Sequence, residues 1–250
     1  MEYNMIYNES CLETLKKMDN DSVDIVITSP PYNMNLRISQ GKYCSRQIVK
    51  EMSTKYDDFS DNIPIDEYYD FHKQVLKELI RVSKIVFYNI QVVTGSKRAF
   101  FKMIGDFSDN LKEIIVWDKG HTQPAMQKQV LNRRHELILV FEKDYPISRQ
   151  FRSNGKFSRG TLDDVWLIRR GNSKNSAHRA VFPEELVHKI LINFSDVNDL
   201  VYDPFMGTGT TAVVAKKLGR RFIGSEISSN YIDFAMSRLV ELTFEIKGEN

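Results

Sequence analysis

A chain of 250 residues, 42% hydrophobic and 27% charged, suits one large α/β domain or one domain with a small appendage, with the composition of a soluble globular protein. No apolar run approaches the roughly 20 residues that cross a bilayer, and Met1-Glu2-Tyr3-Asn4 lacks the basic and apolar stretches of a secretory signal, so a cytoplasmic protein with no membrane partner is expected. The net charge is only +2, but Asn33–Lys55 carries +4 and Tyr145–Ala180 carries +6, so the acidic remainder suggests a polyanionic partner for two basic segments, although two solvated loops fit the charge equally well.

In chain order, Val23–Thr28 reads as a strand stopped by Ser29-Pro30-Pro31. Tyr68, Phe71, Val75, Leu76, Leu79 and Val82 recur at three- and four-residue spacing, which predicts a helix over Pro64–Val82. A strand at Lys84–Asn89, a helix at Ser96–Phe107 and strands at Glu113–Trp117 and Glu136–Phe141 follow. Pro183–Phe194 reads as a helix with proline in its first turn. Leu200–Asp203 is a strand, then a glycine turn, a helix over Thr210–Leu218, a strand over Arg221–Ser225 and a final helix over Ser229–Leu242. This alternation predicts a mostly parallel sheet covered by helices on both faces, with ligands beyond the carboxyl ends of its strands.

Two segments carry chemistry. In Asp203-Pro204-Phe205-Met206-Gly207-Thr208-Gly209-Thr210-Thr211, a strand passes through a tight glycine turn into a helix. Gly207 and Gly209 let backbone approach a ligand closely. Glu226 follows the next strand, 17 residues after Gly209, where an acid suits ribose hydroxyls. A complete Gly-x-Gly-x-x-Gly and a Gly-Lys-Ser/Thr are both missing, which argues against dinucleotides and nucleoside triphosphates and for a nucleoside cofactor without pyrophosphate. A plain strand-to-helix turn is the bland alternative.

The second segment is Ser29-Pro30-Pro31-Tyr32. Successive prolines stiffen the backbone and remove two N–H donors. What is left is a rigid loop offering carbonyl oxygens, the Ser29 hydroxyl and an aromatic ring. An exocyclic amine is a poor nucleophile because its lone pair is delocalised into the base. Acceptors at Ser29 and the Pro30 carbonyl would draw it toward tetrahedral geometry, while Tyr32 stacks on a base taken out of its duplex. A Pro-Pro turn with a buried tyrosine is the competing reading.

Together the two motifs resemble the DNA amino-methyltransferases, which make N4-methylcytosine or N6-methyladenine. The family's Asp/Asn/Ser-Pro-Pro-Tyr/Phe segment is matched by Ser29, Pro30, Pro31 and Tyr32, and its Asp-Pro-Phe-x-Gly-x-Gly-Thr segment by Asp203, Pro204, Phe205, Gly207, Gly209 and Thr210. Phe182-Pro183-Glu184-Glu185-Leu186 is similar to a helix start that flanks the methionine end of the cofactor, and Trp117-Asp118-Lys119 and His135-Glu136-Leu137-Ile138 look like family strands and their edges. The resemblance implies a Rossmann-like α/β fold, with a mostly parallel seven-stranded sheet and one antiparallel strand. It implies S-adenosyl-L-methionine as cofactor and DNA as partner, and it favours a homodimer. The amine segment precedes the cofactor segment, as in the circularly permuted β group. In that group a target-recognition region precedes the Phe-Pro helix, here about Lys143–Ala177 within a single domain of residues 1–250.

Ser29 stands where adenine enzymes more usually carry Asp, which favours cytosine N4 over adenine N6 as the target. RNA or protein-glutamine methylation and a non-catalytic DNA-binding subunit are the alternatives, the first disfavoured by Ser29 and the second by two intact motifs. Cys11 and Cys44 fit neither a disulfide framework nor a zinc site, and neither lies in a Pro-Cys nucleophile loop, so no covalent intermediate is expected. The five histidines share no metal spacing and no metal is expected. Trp166 is read as a packing anchor. A restriction partner, an orphan role and a phage setting stay open.

Overall fold

The computed structural model describes residues 1–33, 36–39, 42–45, 63–121, 128–143, 150–151, 155–169 and 182–248, with backbone alone at 36–39, 42–45 and 244–248. The strands are β1 (Met5–Tyr7), β2 (Val23–Thr28), β3 (Leu36–Ser39), β4 (Lys42–Ser45), β5 (Ser83–Ile90), β6 (Leu111–Asp118), β7 (His135–Glu142), β8 (Val165–Leu167), β9 (Leu200–Asp203) and β10 (Arg221–Ser225). The helices are α1 (Cys11–Lys16), α2 (Ile65–Val82), α3 (Lys97–Asp106), α4 (Glu184–Phe194), α5 (Thr210–Lys217) and α6 (Ser229–Gly248).

Eight strands form one sheet in the order β1-β10-β9-β2-β5-β7-β6-β8, and β3 and β4 pair as a separate antiparallel hairpin. Within the large sheet only β7 runs against its neighbours. The expected mostly parallel sheet with one antiparallel strand is therefore present, with an eighth strand in place of seven. The additional strand is β8, which joins the edge parallel to β6 with Trp117 beside Trp166. Three residues with no hydrophobic alternation give no strand signal, and pairing to β6 alone defines this one. Strand β1 and helix α1 escape a reading of periodicity for the same reason of length.

Alternate strand residues feed two cores, as the two-residue period of a strand requires. Ile25, Ile27, Ile85, Phe87, Ile138 and Val140 pack under α4, α5 and α6. Val86, Tyr88, Leu139, Phe141 and Tyr202 pack under α1, α2 and α3. The predicted helix faces bury as their spacing indicates: Tyr68, Val75, Leu76, Leu79 and Val82 of α2 are all sealed. Trp166 is fully buried and its indole nitrogen donates to the Asp163 carbonyl, so it is the packing anchor its sequence setting suggested.

The strand directions position the site. β2, β5, β6, β9 and β10 all end at the same edge of the sheet, and the reversed strand β7 begins there. The strand sequence turns back at the β9–β2 pair, the place where an open α/β sheet leaves a crevice.

Candidate active site

Ser29-Pro30-Pro31-Tyr32 leaves the end of β2, and Asp203 through Gly209 leaves the end of β9, the adjacent strand. Asp203 joins the two. Its carboxylate is buried, accepting from the Thr28 hydroxyl at 2.7 Å on one oxygen and from the Thr211 hydroxyl at 2.7 Å on the other, with the Phe205 N–H at 3.0 Å. Burial outweighs these donors and pushes the carboxyl up from 3.8 to about 6. With both oxygens engaged by protein, Asp203 braces the turn.

The glycine turn has two distinct glycines. Gly209 has φ +81°, and a Cβ there would lie 2.6 Å from the Ala235 Cβ of α6, so close packing demands the missing side chain. Gly207 has φ +53°, and a Cβ there would meet nothing closer than the Phe205 carbonyl oxygen at 3.9 Å. The space above Gly207 is open, a cradle of the kind a cofactor fills. Glu226, just past β10, faces it: its carboxylate accepts from the Gly207 N–H at 2.8 Å and the Ser228 N–H at 3.0 Å. The buried Ser228 hydroxyl beside it has no hydrogen-bond partner among the described residues.

A clamp absent from the sequence reading holds this turn from behind. Arg238 of α6 donates to the Thr208 carbonyl at 2.7 Å, to the Thr210 hydroxyl at 3.2 Å and to Glu184 at 2.8 Å. Glu184 opens α4 directly after Phe182-Pro183 and also pairs with Lys217, and burial notwithstanding, the two cations hold its carboxyl low. The glycine turn and the Phe182-Pro183 segment are thereby tied together. Phe182 packs edge-on against Trp117, with ring centroids 6.3 Å apart.

The proline loop is equally constrained. The Tyr68 hydroxyl of α2 donates to the Pro31 carbonyl at 2.5 Å. Asn33, at φ 54°, donates its side-chain amide to the Ile63 and Gly95 carbonyls and fixes the loop exit. No hydrogen bond reaches the Pro30 carbonyl among the described residues. Tyr32 is only 6% exposed. Its hydroxyl lies 2.7 Å from the Ser29 hydroxyl, accepts from the Asn89 amide at 2.6 Å and donates to Glu136 at 3.3 Å. The ring is thus held by its tip, and its flat faces are covered in this conformation. Asn89, Glu136 and Lys119 form a buried polar cluster around that tip, of which the sequence reading noted only the strands that bear them.

Elsewhere, burial pushes the Cys11 thiol up to about 12 and suppresses thiolate formation. His72 is sealed in α2 against Tyr88, and burial pushes it down to about 3, a structural histidine. Most of Asn33–Lys55, much of Lys143–Ala177, the side chain of Cys44 and all of His178 lie outside the described residues.

A family model described as "DNA methylase" matches residues 23–237. The chain belongs to the DNA methylase family. This DNA methylase is 29% identical over 269 residues to the type II methyltransferase M.BglII of Bacillus subtilis, covering 93% of this chain and 68% of that protein. It is 29% identical over 258 residues to M.HinfI of Haemophilus influenzae, with 96% and 69% covered. Its fold is similar to the cytosine-N4-specific PvuII DNA methyltransferase, with a TM-score of 0.69 and 19% identity over 95% of this chain and 86% of that one. It is also similar to the M1.HpyAVI–SAM complex, with a TM-score of 0.63 and 20% identity over 94% and 98% of the two chains. A putative DNA modification methylase from Thermus thermophilus, complexed with S-adenosyl-L-methionine, gives a TM-score of 0.63 at 22% identity over 95% and 93%.

Proposed function

We propose that this methylase transfers a methyl group from S-adenosyl-L-methionine to the N4 amine of a cytosine in a short DNA site. The observation that carries the reading is the juxtaposition of an open glycine cradle with a rigid acceptor loop, joined at 2.7 Å through Thr28 and Asp203. Gly207, Gly209, Thr210, Phe205 and Glu226 would hold the nucleoside part, with Glu226 on the ribose hydroxyls and Phe205 near the purine. Phe182 and Pro183 would flank the methionine part, and Asp203 and Pro204 shape the turn. When bound, the cofactor supplies an electrophilic methyl on a sulfonium.

The protein's own residues do the rest. The free Pro30 carbonyl and the Ser29 hydroxyl accept from the two amine hydrogens and align the nitrogen for direct in-line attack. The Tyr32 ring, its plane set by the anchored hydroxyl, offers a face to the flipped base once entry of that base uncovers it. Pro31 holds the loop through Tyr68. Ser29 favours cytosine because it is a neutral acceptor at the position where a carboxylate serves the adenine enzymes that the motif resembles. The type II names of two relatives support a restriction-modification setting, and family likeness supports a homodimer. Digestion of modified DNA to nucleosides, followed by mass spectrometry, tests the reading: N4-methylcytosine is expected, N6-methyladenine alone overturns the base, and no methylated amine overturns the reaction.

A further inference from the structure

The reaction leaves one proton too many on the methylated nitrogen, and the buried cluster behind Ser29 points to where it goes. We propose that Glu136 is the terminal proton acceptor of methyl transfer, reached from the amine through the hydroxyls of Ser29 and Tyr32. This rests on the amino-methylation reading above.

The geometry is continuous. Ser29 Oγ and Tyr32 Oη are 2.7 Å apart, and Tyr32 Oη lies 3.3 Å from Glu136 Oε2. Asn89 sets the direction of these bonds. Its amide nitrogen donates to Tyr32 Oη at 2.6 Å and to Glu136 Oε2 at 2.8 Å. Filling one Tyr32 lone pair from Asn89 directs the Tyr32 proton to Glu136 and leaves the other lone pair for the Ser29 proton. The same amide nitrogen lies 3.3 Å from Ser29 Oγ, a longer contact that leaves a Ser29 lone pair for the amine. Lys119, at 3.4 Å from Glu136 Oε1, places an opposite charge beside a side chain that is only 2% exposed.

Topology explains how an acid reaches this place. Asn89 is near the end of β5 and Lys119 just past the end of β6, but Glu136 is the second residue of β7. Because β7 is the reversed strand, its first residues meet the carboxyl edge, with Trp117 paired to Glu136 and Ile90 to Leu137. A second buried pair, Lys112 with Glu142, bridges the same two strands at their other end, remote from the proline loop.

The step balances. The nitrogen–carbon bond forms as the carbon–sulfur bond breaks. One N–H proton moves to Ser29 Oγ, the Ser29 proton to Tyr32 Oη and the Tyr32 proton to Glu136 Oε2. The amine leaves neutral and methylated, and Glu136 ends protonated beside Lys119. The family pattern also accepts phenylalanine at the tyrosine position, so the relay belongs to this chain's Tyr32 and not to the family as a whole.

The test compares wild type, Glu136→Gln and Tyr32→Phe in single-turnover methylation, with cofactor affinity measured by calorimetry. Glu136→Gln keeps shape but not basicity, so a loss of about 100-fold in the chemical rate is expected, the lower end for a positioned proton acceptor, with KM for DNA and cofactor affinity unchanged. Tyr32→Phe should lose a similar factor, and adding it to Glu136→Gln should cost nothing more. Without cofactor, the infrared carboxylate band that Glu136→Gln removes should shift in Tyr32→Phe. Wild-type rates in Tyr32→Phe would overturn the relay even if Glu136→Gln fails to fold, and with both variants folded, additive losses in the double variant or an unshifted band would overturn it too. A wild-type enzyme that makes no methylated base would instead overturn the underlying reaction.

Discussion

The Thr28 hydroxyl donates to the Asp203 carboxylate at 2.7 Å across 175 residues of sequence, and through this bond the acceptor loop and the glycine turn are set relative to one another. Thr28→Val keeps the shape and removes the donor. It should destabilise the fold by about 1–3 kcal/mol, the range for a buried acceptor that loses a partner, and lower the methylation rate more than it weakens cofactor binding. Urea unfolding and single-turnover kinetics check both parts.

The two glycines of the turn should fail differently. Gly209→Ala drives a methyl into Ala235 at a left-handed φ, so its melting temperature should fall clearly. Gly207→Leu also sits at a left-handed φ, which costs about 1–2 kcal/mol, but it projects into open space with no clash, so the fold should survive while the cofactor cradle fills. Calorimetry should show no S-adenosyl-L-methionine binding to a folded Gly207→Leu protein, and unchanged affinity would remove this turn from the cofactor site.

Asp203 gives the fold a distinctive pH dependence. Its carboxyl is raised from 3.8 to about 6, so the native state holds the proton more tightly than the unfolded chain does. The resulting stabilisation is complete below about pH 4 and is lost as pH rises through about 6, amounting to roughly 3 kcal/mol at 1.36 kcal/mol per pH unit. The stability difference between wild type and Asp203→Asn should therefore shift in favour of the variant between pH 4 and 7. Paired urea titrations at the two pH values measure it, and a difference that does not move contradicts the raised carboxyl.

Arg238 grips the Thr208 carbonyl and Glu184 with one guanidinium. Arg238→Met keeps the aliphatic stem and drops these bonds together with the one to the Thr210 hydroxyl. The cofactor Kd should rise about tenfold, equivalent to about 1.4 kcal/mol, because the turn loses its brace although Arg238 is not assigned to the cofactor itself. Isothermal titration checks it, and an unchanged Kd would assign the clamp to folding alone.

DNA affinity should fall steeply with salt, since the Asn33–Lys55 and Tyr145–Ala180 segments carry the basic excess. Each phosphate contact contributes roughly 0.9 to the slope of log K against log salt. Filter binding between about 50 and 200 mM salt measures the slope; a flat dependence removes these segments from the DNA interface.

The sequence by itself determined the strand–helix alternation, the parallel sheet and the two loops that carry the chemistry, because each rests on local physics. A short β-branched run buried on both faces makes Val23–Thr28 a strand, consecutive prolines end it, and positive-φ glycines turn Asp203 into α5. Tertiary structure alone decided the rest. Local pattern gives no strand at Val165–Leu167, where pairing to β6 supplies the definition. Nothing local marks Thr28, Arg238 or Tyr68 as partners of a loop, since their contacts span 30 to 175 residues of chain. Tyr32 reads in sequence as a ring that either stacks on a base or is buried in a Pro-Pro turn; it is buried and tied at its tip to Asn89 and Glu136. Glu136 meets Ser29 and Tyr32 only because one strand of the sheet runs backwards and delivers its first residues to the edge where the others deliver their last, a pairing choice that no window along the chain contains.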